Sequence, residues 1–240
     1  MTAGALVPAA GLGVRLGPGG PKALRALAGE PLLVHAVRGL RSAPSVGPVV
    51  VAAPGDDVEA VRALLAPYDV LVVAGGAERQ DSVRRALQAL DPGAELVLVH
   101  DAARCLTPAL VFEDVVACLR GGAQAVVPVL PVADTVKQVD ADRVVATLDR
   151  AALRAVQTPQ GFRREVLERA HHLPAEPGVR DGSAGRTATD APVTDDAGLV
   201  EAHGVVVTTV PGHEEAFKVT RLIDLLLAEA LLAGGQRDRT

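Results

Sequence analysis

Short apolar runs such as VVVAA and LVLVH, separated by stretches with helical spacing, restrict the fold of this chain more than any other feature. They lie at Ala5–Pro8, Pro48–Ala53, Val70–Ala74, Leu96–His100, Ala125–Leu130 and Val205–Val210. Each is continuous rather than alternating, as suits strands covered on both faces. Helical spacing predicts helices over Pro31–Arg41, Asp57–Leu65, Asp81–Leu90, Pro108–Arg120, Arg163–His171, Asp195–His203 and Thr220–Ala233. Strand and helix in alternation predict an α/β fold, a mainly parallel sheet with helices on both faces. Ligands of such sheets bind beyond the carboxyl ends of the strands.

Two segments interrupt the rhythm. Asp134–Leu148 reads as a polar hairpin, TVKQV and RVVATL joined by Asp140-Ala141-Asp142, and is expected to project as an arm spanning 131–156. Residues 174–193 are rich in Pro, Gly, Ser, Thr and Asp without periodicity, which predicts a mobile loop. The remainder is expected to form a single domain over 1–233, with a disordered tail over 234–240.

Composition excludes several classes. A net charge of −5 with 2% aromatic residues offers neither the basic face nor the stacking platforms of a nucleic-acid binder. No apolar run approaches the roughly 18 residues of a membrane span, and MTAGALVPAAG lacks the basic start of a signal peptide. Cys105 and Cys118 supply no disulfide framework or paired metal spacing. A soluble cytoplasmic protein is expected.

The first strand runs into Pro8-Ala9-Ala10-Gly11-Leu12-Gly13-Val14-Arg15, and the loop continues to Lys22. Small residues let backbone N–H groups approach an anion, and Arg15 and Lys22 bracket that cradle with charge. Two common phosphate loops do not match. The P-loop requires Ser or Thr after its lysine, and Ala23 stands there; the dinucleotide fingerprint requires a helix opening inside the glycines, which Pro18-Gly19-Gly20-Pro21 forbids. A flexible turn with two solvated cations is the bland alternative. Arginine dominates the 24 basic residues, and the lysines are Lys22, Lys137 and Lys218. Each is therefore conspicuous.

The loop PAAGLGVRLG…PK resembles the signature of nucleotidyltransferases with a Rossmann-like fold, which transfer an NMP unit to a phosphate. GGAERQDSV (Gly75–Val83), VHDAAR (Val99–Arg104), ADTVK (Ala133–Lys137), LDRAAL…QTPQGF (Leu148–Phe162), TDDAGLVE (Thr194–Glu201) and FKVTRLIDL (Phe217–Leu225) follow in order. Together they resemble the cytidylyltransferases of 2-C-methyl-D-erythritol 4-phosphate, in non-mevalonate isoprenoid biosynthesis, over nearly the whole chain. The resemblance implies CTP as co-substrate, Mg²⁺ or another divalent cation, and a homodimer exchanging the 131–156 arm.

That resemblance also implies roles for individual residues. Arg15 and Lys22 stabilise the transition state, while Ala9, Ala10, Gly11, Gly13, Gly76, Ser82 and Ala102 carry CTP. Asp101, Arg104, Thr158, Thr194 and Lys218 meet the methylerythritol phosphate, and Asp101 also meets the metal, through water. Thr135 and Arg150 complete the neighbour's site, where Arg150 and Lys218 position the acceptor.

Plainer readings stand beside these. Asp81 or Ser82 serves as a helix N-cap, Thr194 does likewise, Asp101 caps a turn, and Thr135 and Arg150 belong to an ordinary polar arm. His100 reads as a structural residue at a strand end. Two positions depart from the family: Ala77, commonly acidic, and Cys105, commonly Pro. Alternative functions are a ribitol 5-phosphate cytidylyltransferase and a non-catalytic nucleotide-binding module. The polar GGQRDRT ending at Thr240 suits a stand-alone enzyme rather than a fusion.

Overall fold

The computed structural model describes residues 2–11, 16, 20–172 and 194–237. The glycine-loop residues Gly13 and Arg15, and the predicted loop at 174–193, lie outside the described residues.

In chain order the elements are β1 (Ala3–Pro8), a short ribbon of β2 (Ala26–Leu27) and β3 (Glu30–Pro31), α1 (Leu32–Arg41) and β4 (Val46–Ala53). Then come α2 (Val58–Leu65), β5 (Leu71–Ala74), α3 (Arg79–Ala89), β6 (Leu96–Val99), α4 (Ala109–Arg120) and β7 (Ala125–Pro131). The arm follows as β8 (Lys137–Asp140) and β9 (Arg143–Thr147). The chain continues through β10 (Arg154–Val156), β11 (Gln160–Arg163), α5 (Arg164–His172), α6 (Asp196–Glu201), β12 (Val207–Pro211) and α7 (Leu222–Arg237).

The main sheet has the order β10-β7-β11-β6-β1-β4-β5, with β12 also pairing β7. β4, β1, β5 and β6 pair in parallel, as do β12 and β7. This is the predicted α/β architecture. Successive strand residues face opposite layers. Ala5, Val7, Val49, Val51 and Leu98 pack with Leu33 and Val37 of α1 and Phe112 and Val115 of α4. Leu6, Val50, Val97 and Val99 point the other way, against Val83 and Leu87 of α3 and Leu167 of α5.

Besides the β2–β3 ribbon, two strands of the main sheet escape the sequence pattern. β10 and β11 are antiparallel to β7, and β11 is wedged between β6 and β7. Its sequence, Gln160-Gly161-Phe162-Arg163, carries one large apolar residue and so gives no strand signal. Gly161 is there because α4 crosses closely: a Cβ at that position would lie 2.4 Å from Val115 Cγ1.

The ends of several helices also differ from expectation. α3 begins at Arg79 behind Glu78, which makes no side-chain capping bond, so Asp81 and Ser82 lie inside the helix rather than at its cap. Asp195, not Thr194, caps α6, its carboxylate accepting from Gly198 N. α7 continues to Arg237, so 234–237 are helical, and 238–240 of the expected disordered tail lie outside the described residues. Helix propagation from the Leu- and Ala-rich run carries through Gly234 and Gly235. The hairpin forms as predicted, β8 against β9, with Ala141 in the left-handed region at φ 51°.

Candidate active site

The carboxyl ends of β1, β5 and β6 open onto one cleft. Each supplies a different kind of wall. After β1, Ala9 N donates to Ala52 O, and Lys22 N returns to Gly11 O at 3.2 Å, closing the glycine-rich loop at its base. Ala9, Ala10, Gly11 and Lys22 therefore line one side.

After β5, Gly75 and Gly76 lead into α3 with almost no clearance. A Cβ on Gly75 would lie 2.6 Å from Ala10 Cβ, and one on Gly76 2.1 Å from Asp81 Cβ. Glycine lets the two ligand-facing loops touch. Ser82 is buried, accepting from Gly76 N at 3.0 Å and donating to Glu78 O at 3.2 Å. It pins the loop open toward the cleft, where Gly76, Ala77 and Ser82 form the second wall.

After β6 comes Asp101, buried at 8% exposure beside Ala102 on the cleft's third wall. Its Oδ2 accepts from Lys218 Nζ at 2.6 Å, and Arg79 Nε approaches Oδ1 at 3.4 Å. Burial alone would raise the Asp101 carboxyl. Arg79, Lys218 and Arg104 outweigh it and hold the group ionised well below the usual carboxylate range. Lys218 is brought across by the segment before α7, where Val219 N donates to Ala103 O at 2.8 Å. Three loops thus converge on a rim of cations around one carboxylate, over a floor of backbone and small side chains.

Other predicted residues fall elsewhere. Thr158 is buried, not on the cleft surface: its Oγ1 accepts from Asp101 N at 3.0 Å and pairs with His100 Nδ1 at 3.1 Å. Thr158 thereby supports Asp101 from beneath. Arg104 lies behind the cleft, donating to Ala216 O at 2.7 Å and Val156 O at 3.2 Å, so it fastens the Lys218 segment to β10. Thr194 is exposed ahead of α6. Thr135 and Arg150 are exposed on the arm, with Arg150 donating to Ala133 O, and neither lines this cleft.

Arg79 escaped the sequence reading. A cation in the first turn of a helix opposes the helix dipole, and that misplacement was the available signal. Its Nη1 donates to Asp196 Oδ2 at 2.6 Å, and Asp196 in turn meets His171 Nε2 at 3.0 Å.

The chemistry open to the site is limited. Burial pushes the Cys105 thiol up to about 12, so it furnishes no thiolate. Burial likewise pushes His100 down to about 4, leaving it neutral and structural. Among the described residues no cluster of three metal-ligating side chains exists. One carboxylate suits a Mg²⁺ carried mainly by phosphate oxygens rather than one caged by protein. Nor is any helix among the described residues long and apolar enough to cross a membrane.

Comparison with known proteins gives one answer. The family model for 2-C-methyl-D-erythritol 4-phosphate cytidylyltransferase (IspD) matches residues 3–234. A protein of that name from Frankia casuarinae is 60% identical over 230 residues, covering 95% of this chain and 80% of that one. Another from Saccharopolyspora erythraea is 56% identical, covering 97% and 100%. The crystal structure of the Thermus thermophilus 2-C-methyl-D-erythritol 4-phosphate cytidylyltransferase superposes with a TM-score of 0.74 at 35% identity, covering 96% of this chain and 98% of that one. The 4-diphosphocytidyl-2C-methyl-D-erythritol synthase of Anaerococcus prevotii superposes at 0.78 and 27% identity, covering 97% and 98%. The chain belongs to the 2-C-methyl-D-erythritol 4-phosphate cytidylyltransferase (IspD) family.

Proposed function

We propose that the cleft transfers CMP from CTP to 2-C-methyl-D-erythritol 4-phosphate, giving 4-diphosphocytidyl-2-C-methyl-D-erythritol and pyrophosphate. One observation carries this reading: Lys22 and Lys218 line one cleft with Asp101, Ala9, Ala10 and Gly11, and among the described residues no activated nucleophile accompanies them. A phosphate acceptor needs none. Its ionised oxygen attacks the α-phosphorus of CTP, the new P–O bond forms, and the bond to the bridging oxygen of pyrophosphate breaks. The protein's task is to align those oxygens and take up their charge.

In this reading Ala9, Ala10, Gly11, Gly13, Gly76, Ser82 and Ala102 seat the nucleotide. Arg15 and Lys22 neutralise charge developing on the triphosphate. Lys218, Asp101, Arg104 and Thr194 serve the acceptor, with Asp101 and Arg104 also organising Lys218. Asp101 would hold Mg²⁺ through water, and such an ion would supply further charge neutralisation. Thr135 and Arg150, remote from the cleft of their own chain, act in the cleft of a second copy, so the working unit is a homodimer. A cytoplasmic setting accords with the two free thiols, Cys105 and Cys118.

Pyrophosphate release, measured with the four NTPs against methylerythritol phosphate and ribitol 5-phosphate, tests the assignment. Turnover with CTP and methylerythritol phosphate alone is expected. Turnover with ribitol 5-phosphate in its place, or with none of the pairs, overturns it.

A further inference from the structure

Arg79 stands between two buried carboxylates drawn from distant parts of the chain. Its Nη1 holds Asp196 Oδ2 at 2.6 Å, while its Nε is 3.4 Å from Asp101 Oδ1. Asp196 has no solvent exposure, and His171 Nε2 grips its other oxygen at 3.0 Å. On the far side Asp101 Oδ2 holds Lys218 Nζ at 2.6 Å. Along this ladder the contacts are tight, loose and tight again.

Such a ladder can exchange partners. A phosphate entering the cleft competes with Asp101 for the Lys218 ammonium. Losing Lys218 without compensation would strand a charge on a residue that is 8% exposed, at a cost that favours keeping the lysine where it is. Arg79 removes that obstacle, because it already presents Nε to the carboxylate at 3.4 Å, a distance that leaves room to close, while Nη1 stays on Asp196.

We propose that Arg79 is a positioning residue that takes over Asp101 and so releases Lys218 to the phosphate of the acceptor. The inference rests on the proposed reading in which Lys218 meets that phosphate. Asp196 and His171 hold Arg79 at the height where it reaches both carboxylates. A lysine at position 79 cannot substitute, since it lacks the rigid fork that keeps Nη1 on Asp196 while presenting Nε to Asp101.

Steady-state kinetics of R79K and R79Q, with D101N and K218Q as partners, test this, after thermal unfolding has shown each variant folded. R79K is expected to raise the acceptor KM by roughly three- to thirtyfold, the range for coupling through an intervening residue, with the CTP KM and the saturated kcat little changed. R79Q, which keeps a donor for Asp196, is expected to do the same. In the D101N background, where Lys218 is no longer tied to a carboxylate, R79K should add nothing. An unchanged acceptor KM in both variants, an equal rise in the D101N background, or a rise in the CTP KM instead overturns the proposal. K218Q separates the two levels: an acceptor KM unmoved by K218Q refutes the reading of Lys218 itself, whatever Arg79 does.

Discussion

The cleft and the arm are built on opposite principles. Around the cleft Asp101, Ser82 and Thr158 are buried, and their polar atoms find partners within the same chain. On the arm every residue of β8 is exposed, and Val139, Val144 and Val145 remain 60%, 60% and 56% exposed. A two-stranded ribbon with uncovered valines gains little from folding alone. The contrast teaches where each region can act: the cleft is organised by its own chain, whereas the arm's valines are left uncovered by theirs. In the proposed homodimer the second copy covers them.

Substitutions on the two sides should therefore fail in different ways. Lys22→Ala gives the largest effect, a fall in turnover of about 10²–10³-fold, typical of losing one charge-stabilising contact in a transition state. Pyrophosphate release should show it at every protein concentration, with unfolding unchanged. Retention of the normal rate would remove the glycine loop from the chemistry.

Arg150→Ala on the arm should cost about a hundredfold at most. In the proposed homodimer the arm also makes activity depend on association. In a dilution series of the unaltered protein, activity per chain should drop below the dimer dissociation constant. A constant value far below it would break the comparison from the arm's side.

A third effect belongs to the base of the cleft. His100 is buried, and its pKa, pushed down to about 4 by desolvation and then by Arg104, lies below that of the unfolded histidine. The unfolded chain alone therefore binds this proton between about pH 6.5 and 4, so stability falls as pH drops through that window and levels off below it. The loss between pH 7 and 5 is about 2 kcal/mol. Chemical denaturation at the two pH values, with and without His100→Asn, measures it; an undiminished loss in the variant would show the proton goes elsewhere. Smallest is Val144→Asp, expected to shift unfolding of the isolated chain by less than about 0.5 kcal/mol while abolishing self-association in sedimentation. A large loss of chain stability would show the arm packs within its own subunit.

How much of this was legible beforehand depends on whether a feature is local. The β1, β4 and β6 runs announce themselves because covered strands must be apolar throughout, and the loop ending at Lys22 because its glycines cluster directly after a strand. β11 stayed hidden, since Gly161 is dictated by Val115 of α4, forty-six positions away in sequence and 2.4 Å from the missing Cβ. Arg79 stayed hidden for the same reason, its partner Asp196 lying 117 residues along the chain. Thr158 was visible as a polar residue in QTPQGF, but whether its hydroxyl faces the cleft or Asp101 N is a matter of packing that spacing does not encode. The arm was the reverse case: its strands were plain in sequence, yet the role proposed for them lies in a second copy of the chain.

Mixing the two defective proteins tests the division of labour most directly. Lys22→Ala and Arg150→Ala chains are dissociated, combined in equal amounts and allowed to reassociate before pyrophosphate release is measured. If each site pairs a cleft from one copy with an arm from the other, mixed dimers contain one intact site, and activity returns to about a quarter of normal for a two-fold dimer with random pairing. A mixture no more active than its separate components would contradict the account.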